Sequence, residues 1–156
     1  MIVITPDKIN NISPNKIGNS TSIFLAGTID NGNSIDWQKE IINKLSKLNL
    51  SLEIFNPRRD NWNSNPTKEE MENQIKWEQE HLDKANLICM VITDNSKSPI
   101  TLLEMGLYAT SRKLIVFCTD KFWRYDNVRL TCEKYNIPLF NSNDIDLIIK
   151  KIVSYI

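Results

Sequence analysis

Apolar residues along this chain alternate between two spacings. Ser22-Ile23-Phe24-Leu25-Ala26 is a compact run that stops at Gly27, and after a polar turn Trp37, Ile41, Leu45 and Leu48 recur at helical intervals. A short strand at 51–55 leads into a long polar loop, Asn56 to Pro66, and Thr67-x-x-Glu70 then has the form of a capping box opening a helix to about Ala85. Leu87-Ile88-Cys89-Met90-Val91-Ile92 is almost continuously apolar, which suits a strand buried on both faces. Ser98 as N-cap and Pro99 as first helical residue open the next helix, to about Ser111. Leu114 to Cys118 repeats the buried-strand composition. Asn127 to Tyr135 reads as a helix, 137–140 as an edge strand, and Ile145, Ile148, Ile152 and Ile156 mark a closing helix.

Strands that alternate with helices call for a mostly parallel sheet with right-handed crossovers. The expected fold is a doubly wound, flavodoxin-like α/β domain with a five-stranded sheet and helices on both faces. Residues 1–21, a possible short strand followed by a polar segment, read as an N-terminal extension to a single domain over 22–156. Ligands in such sheets sit beyond the carboxyl ends of the strands, where strand order reverses, so the loops after Ala26, Phe55, Ile92 and Cys118 are the places to search.

Composition narrows the function. With 156 residues the chain suits one domain, and 19 basic against 19 acidic residues leave no positive excess for a nucleic-acid polymer. No apolar stretch approaches the ~20 residues that cross a bilayer, and three scattered cysteines suit a reduced, cytoplasmic protein. A single histidine, His81, leaves little for metal or histidine-based catalysis, and no cofactor is expected. His81 itself reads as solvated or capped, and Trp37 and Tyr108 as packing residues. No glycine-rich phosphate loop follows any strand.

Carboxylates are therefore the likeliest reacting groups on grounds of composition. Glu104 is the only charge in the helix P-I-T-L-L-E-M-G-L-Y-A-T-S, and a buried carboxylate costs several kcal/mol unless it is paired or its pKa rises. Gly106 is a second anomaly, since glycine inside a helix usually marks close approach by a backbone or ligand. In the preceding helix Met71, Ile75, Leu82 and Ala85 define a buried stripe whose vacant position is Glu78, so a second carboxylate is expected to face inward. The bland alternatives are a solvent strip for Glu104 and an ion pair with Lys76 or Lys84 for Glu78. Paired carboxylates without metal or histidine suit cleavage of a glycosidic bond.

The stretch Thr101-Leu102-Leu103-Glu104-Met105-Gly106-Leu107-Tyr108-Ala109 resembles the M-E-L-G-Y-A segment of nucleoside 2-deoxyribosyltransferases. Ile23 to Thr28 resembles their first strand and loop, Asn56-Pro57-Arg58-Arg59-x-x-Trp62 and Trp77-Glu78 resemble signatures of a divergent branch, and Asp126-Asn127-Val128 is similar to a D-N-V segment. The resemblance implies that Glu104 is the nucleophile, that Glu78 manages the proton of the base, and that Asn127 reaches the active site of a neighbouring subunit in a homo-oligomer. It further implies that Gly27 and Thr28 form the first loop of the site, that Asp94 contacts the sugar, that Ser98 stands where a sister group of monophosphate N-glycosidases holds phosphate, and that Arg58, Arg59 and Trp62 wall the pocket. Two positions depart from these patterns: Phe24 replaces a tyrosine whose hydroxyl bonds the nucleophile, and Asp30 replaces an arginine of the sister group. The expected activity is transfer of 2-deoxyribose between nucleobases through a glutamyl intermediate, with a nucleoside or nucleotide and a free nucleobase as small-molecule partners. Hydrolysis of 2′-deoxynucleosides or their 5′-monophosphates is the alternative, and a non-catalytic nucleotide-sensing module is the alternative of another class.

Overall fold

The computed structural model describes residues 1–11, 20–60, 63 and 65–156. Among the described residues seven strands form one sheet: β1 (Ile2–Ile4), β2 (Ile9–Asn11), β3 (Thr21–Gly27), β4 (Leu52–Phe55), β5 (Leu87–Ile92), β6 (Leu114–Cys118) and β7 (Leu139–Phe140). Five α-helices follow the pattern of the crossovers: α1 (Trp37–Leu45), α2 (Lys68–Lys84), α3 (Pro99–Tyr108), α4 (Tyr125–Tyr135) and α5 (Ile145–Tyr155). The strand order is β2-β1-β4-β3-β5-β6-β7, and every pairing is parallel except β1 with β2. The parallel part thus has six strands where five were expected. The reason is that Ile2–Ile4 pairs in register with Glu53–Phe55, with Val3 buried, and Ile9–Asn11 turns back on it as an antiparallel edge.

Side-chain alternation explains why the central strands read as continuous apolar runs. Ile23, Leu25, Cys89, Val91, Ile115 and Phe117 pack on one face with Trp37 and Ile41 of α1 and Ile148 and Ile152 of α5. Phe24, Ala26, Ile88, Met90, Val116 and Cys118 pack on the other with Leu82 of α2, Met105 of α3 and Val128 of α4. A parallel strand covered by helices on both faces has no polar side to declare. Trp37 belongs to the core, and its indole Nε1 donates to the Thr28 carbonyl at 2.9 Å, tying α1 to the loop after β3. No described helix is long and apolar enough to cross a membrane.

Helix ends follow local chemistry. The Thr67 hydroxyl accepts from the Glu70 amide, and the Glu70 carboxylate accepts from the Thr67 amide at 2.7 Å, completing the capping box. Helix α1 ends at Leu45 and tightens into a 3-10 turn over Ser46–Leu48, so the Leu48 of the periodic pattern is half exposed rather than core. Ser98 does occupy the N-cap of α3, but it sits at φ 44 and its hydroxyl caps nothing, being engaged elsewhere.

The order reverses between β3 and β5, the neighbours from which the chain winds outward in both directions. At that point Gly27 has φ 141, and a Cβ built on it would lie 2.0 Å from the Val91 carbonyl oxygen. Only glycine lets the loop leave β3 hard against β5. Gly27→Ala is expected to lower unfolding free energy by about 3 kcal/mol through strain and overlap. Urea unfolding at neutral pH measures this, and a loss well under 1 kcal/mol would show that the loop is not held here.

Candidate active site

A cavity of about 670 Å³ opens at the reversal point, between the loop after β3 and helices α2 and α3. That volume suits a small organic ligand. Its wall includes Gly27, Thr28 and Asp30 from the β3 loop, Pro57 and Arg59 from the β4 loop, Met71, Gln74, Ile75 and Glu78 from α2, and Ser98 and Glu104 around α3.

The helical stripe of α2 is split between two environments. Leu82 and Ala85 are core, whereas Met71 and Ile75 are 51% and 45% exposed and line the cavity. The expectation of a wholly buried stripe is corrected accordingly: its first half faces a ligand-sized hollow rather than protein. Trp77 seats the helix, packing 6.2 Å from Phe24 and stacking at 4.1 Å on His81, which meets the edge of Phe55. His81 is therefore half buried between two rings, with Nδ1 2.7 Å from the Trp77 carbonyl oxygen, rather than solvated.

Both carboxylates enter the same cavity. Burial and the proximity of Glu78 push Glu104 up to about 8, and no described hydrogen bond reaches it. Burial also raises Glu78, opposed by a hydrogen bond from Gln74 and by the Arg59 charge. Neither bland alternative holds: Glu104 is half buried on the cavity wall, and Lys84 pairs with Glu80 while Glu78 is held by Gln74 at 2.7 Å.

Thr28, Ser98 and Asp30 on the cavity wall belong to a line of hydrogen-bonded hydroxyls. Ser96 donates to Asp30 at 2.7 Å, Ser98 donates to Ser96 at 2.8 Å, and Thr28 and Ser98 are 2.7 Å apart. A hydroxyl has one proton, so Thr28 must be the donor to Ser98, and every proton in the line points toward Asp30. The Thr28 oxygen meanwhile accepts from the Thr93 amide at 3.0 Å.

Other residues singled out from the sequence lie elsewhere. Arg58 is outside the cavity wall: its guanidinium donates to the Gly32 and Ser34 carbonyls at 2.8 Å and pins the β3 loop. Asp94 turns the other way, accepting from Thr119 and from Asn143 at 3.5 Å. Asn127 is exposed in a separate, shallower hollow with Leu102, Gly106, Trp123 and Arg124. Among the described residues no atom lies within 4 Å of the place a Gly106 Cβ would occupy, so none of them makes the close approach expected there. Trp62 lies outside the described residues. Pattern reading missed Gln74, Ser96 and Asp30's role as an acceptor; polar residues in loops and on a charged helix carry no periodic signal.

A family model described as "Nucleoside 2-deoxyribosyltransferase like" matches residues 20–122. The chain belongs to this family. The matched stretch contains the cavity, both carboxylates and the hydroxyl line, and it ends before Asn127. No curated protein matches this nucleoside 2-deoxyribosyltransferase-like chain. Among solved structures it is similar to a conserved protein from Enterococcus faecalis V583, with a TM-score of 0.63 and 12% identity over 88% of this chain and 99% of that one. At that identity the likeness speaks for the fold.

Glu104 also leaves a thermodynamic signature. Its native pKa lies above its unfolded value, so the native state holds the proton more tightly, and the stability it contributes fades as pH rises from about 4.5 to about 8. Glu104→Gln removes that loss. It is expected to raise the thermal midpoint at pH 8.5 by roughly 5 °C relative to wild type, and by little at pH 4. Scanning calorimetry at the two pH values decides, and equal effects at both would place Glu104 in water.

Proposed function

We infer that this protein is a nucleoside 2-deoxyribosyltransferase, moving 2-deoxyribose from one nucleobase to another with no cofactor. The observation that carries the reading is the pair Glu104 and Glu78 in one ligand-sized cavity of a family member. Burial raises both carboxyl groups and Glu78 helps push Glu104 up to about 8, so in this reading the pair shares one proton near neutral pH. That is the inventory a double displacement needs.

Glu104 acts as the nucleophile. Its proton passes to Glu78, a carboxylate oxygen bonds to C1′ of the deoxyribose as the C1′–N bond breaks, and the electron pair departs with the base, which takes the proton from Glu78. A second base then attacks C1′ and expels Glu104, and the proton returns to the pair. Water in place of the second base makes the same centre a hydrolase. Phe24, fully buried, offers Glu104 no hydroxyl, so the nucleophile relies on proton transfer rather than on a donor.

An unphosphorylated nucleoside is the preferred substrate. In the line from Thr28 through Ser98 and Ser96 to Asp30 every hydroxyl proton is already spent, and the line ends in a carboxylate. Such a wall accepts a hydroxyl and repels a phosphate. A homo-oligomer is part of the reading: Leu103, Leu107, Trp123 and Leu130 are exposed beside Gly106 and Asn127, and a second copy covering them would carry Asn127 toward its neighbour's cavity.

Chromatography of the purified protein with each 2′-deoxynucleoside, with and without a second base, tests the reaction. A new nucleoside only in the presence of the second base is expected, and Glu104→Gln is expected to lose at least about 1,000-fold in turnover while still binding ligand. Free base without an acceptor would make it a hydrolase; binding without any product, from nucleosides or monophosphates, would make it a sensing module. Because the active pair holds one proton, kcat/KM should be bell-shaped, falling above about pH 8 and falling again in acid as Glu78 also protonates.

A further inference from the structure

Glu78 is held by an amide whose orientation is not free. Gln74 lies one helical turn earlier on α2, and its side chain has three neighbours: Arg59 Nε at 2.7 Å, the Pro57 carbonyl oxygen at 3.1 Å and Glu78 Oε1 at 2.7 Å. Arginine has only donors, whereas a backbone carbonyl and a carboxylate present acceptors. One orientation satisfies all three, with Gln74 Oε1 toward Arg59 and Nε2 toward Pro57 and Glu78. Arg59 is anchored in turn by Asp7, whose carboxylate accepts from a guanidinium nitrogen at 2.7 Å. The chain Asp7, Arg59, Gln74, Glu78 thus runs from the polar segment after β1 to the reacting pair.

The described hydrogen bond to Glu78 falls on Oε1 alone. We propose that Gln74 is a positioning residue of this centre: locked by Arg59, its amide saturates Oε1 of Glu78 and reserves Oε2 for the proton exchanged with Glu104 and the departing base. The role rests on the transferase reading above. It accounts for two glutamates behaving differently in one cavity, since Glu78 receives a donor and Glu104 none. The other charged groups on the same wall are Asp30 from the β3 loop, Arg59 from the β4 loop, Glu70 on α2 itself and Glu104 on α3. Of the groups that bear on Glu78, Gln74 and Arg59 favour its charged form and burial opposes it.

The test is titration of the full-length protein labelled with δ-¹³C glutamate, the Glu78 resonance being assigned by its loss in Glu78→Gln. Gln74→Leu is expected to move the Glu78 midpoint upward by about one pH unit, and the acid limb of kcat/KM with it. Arg59→Met, which lets the amide turn over, should shift the midpoint in the same direction, and Arg59→Lys, which keeps a donor to Gln74 Oε1, should restore most of it. Gln74→Asn, too short to reach both partners, reproduces the shift if Gln74→Leu fails to fold. A midpoint unchanged in these variants overturns the proposal, and so does a uniform fall in kcat at every pH without a shift. If the wild-type protein turns over no nucleoside, the function reading falls, and the titration still decides whether Gln74 sets the state of Glu78.

Discussion

Two partly buried carboxyl groups in one cavity cannot both ionise at neutral pH without a cost, and the rest of the site is arranged around that constraint. Glu104 is pushed up to about 8 by burial and by Glu78, while Glu78 is drawn part of the way back by Gln74 and Arg59. Burial raises both groups, and only at Glu78 is it opposed, by Gln74 and by the Arg59 charge. A single lysine inserted between them would abolish the distinction; of the two candidates, Lys76 and Lys84, the second is occupied by Glu80, and no described ion pair joins the first to Glu78.

The sheet makes the cavity possible. Because β3 and β5 are neighbours and the chain winds away from them in opposite directions, their loops diverge and leave a gap that α2 and α3 border from one face. Gly27 lets the β3 loop start in contact with the Val91 carbonyl, and the Thr28 amide then donates to that oxygen at 3.0 Å. Thr28 is thereby placed to donate to Ser98 ahead of α3. The unusual φ of 44 at Ser98 fits this arrangement, since its hydroxyl joins the line to Asp30 instead of capping the helix below it.

Most of the fold was legible in the amino-acid sequence because strands buried on both faces are written as unbroken apolar runs and α2 announces its start with a capping box. The sixth parallel strand was weakly marked, since Ile2–Ile4 is short and its partner β2 lies in a polar stretch whose pairing depends on tertiary contact. Glu104 stood out because it breaks an apolar helix, and Glu78 because it fills a gap in a stripe. Gln74 broke no pattern: it is polar on a polar helix, and its importance comes from Arg59, fifteen residues earlier. Met71 and Ile75 show the converse, for a helical stripe reports which side avoids water, without distinguishing a protein core from a ligand cavity.

The adjacent arginines illustrate how far position decides role. Arg58 spends its guanidinium on the carbonyls of Gly32 and Ser34 and on the Ser34 hydroxyl, so it shapes the loop that carries Thr28 and Asp30. Arg59, one residue on, points toward α2, where its Nε fixes Gln74, and among the described residues its ion pair is with Asp7 in the segment after β1. Neither makes a described hydrogen bond to Glu78 or Glu104. A direct ion pair to Glu78 would hold that group ionised, whereas an amide interposed between them passes on orientation with only part of the charge. Arg59 is kept one side chain away from Glu78, and from there its charge opposes the effect of burial with no described ion pair to that carboxyl group.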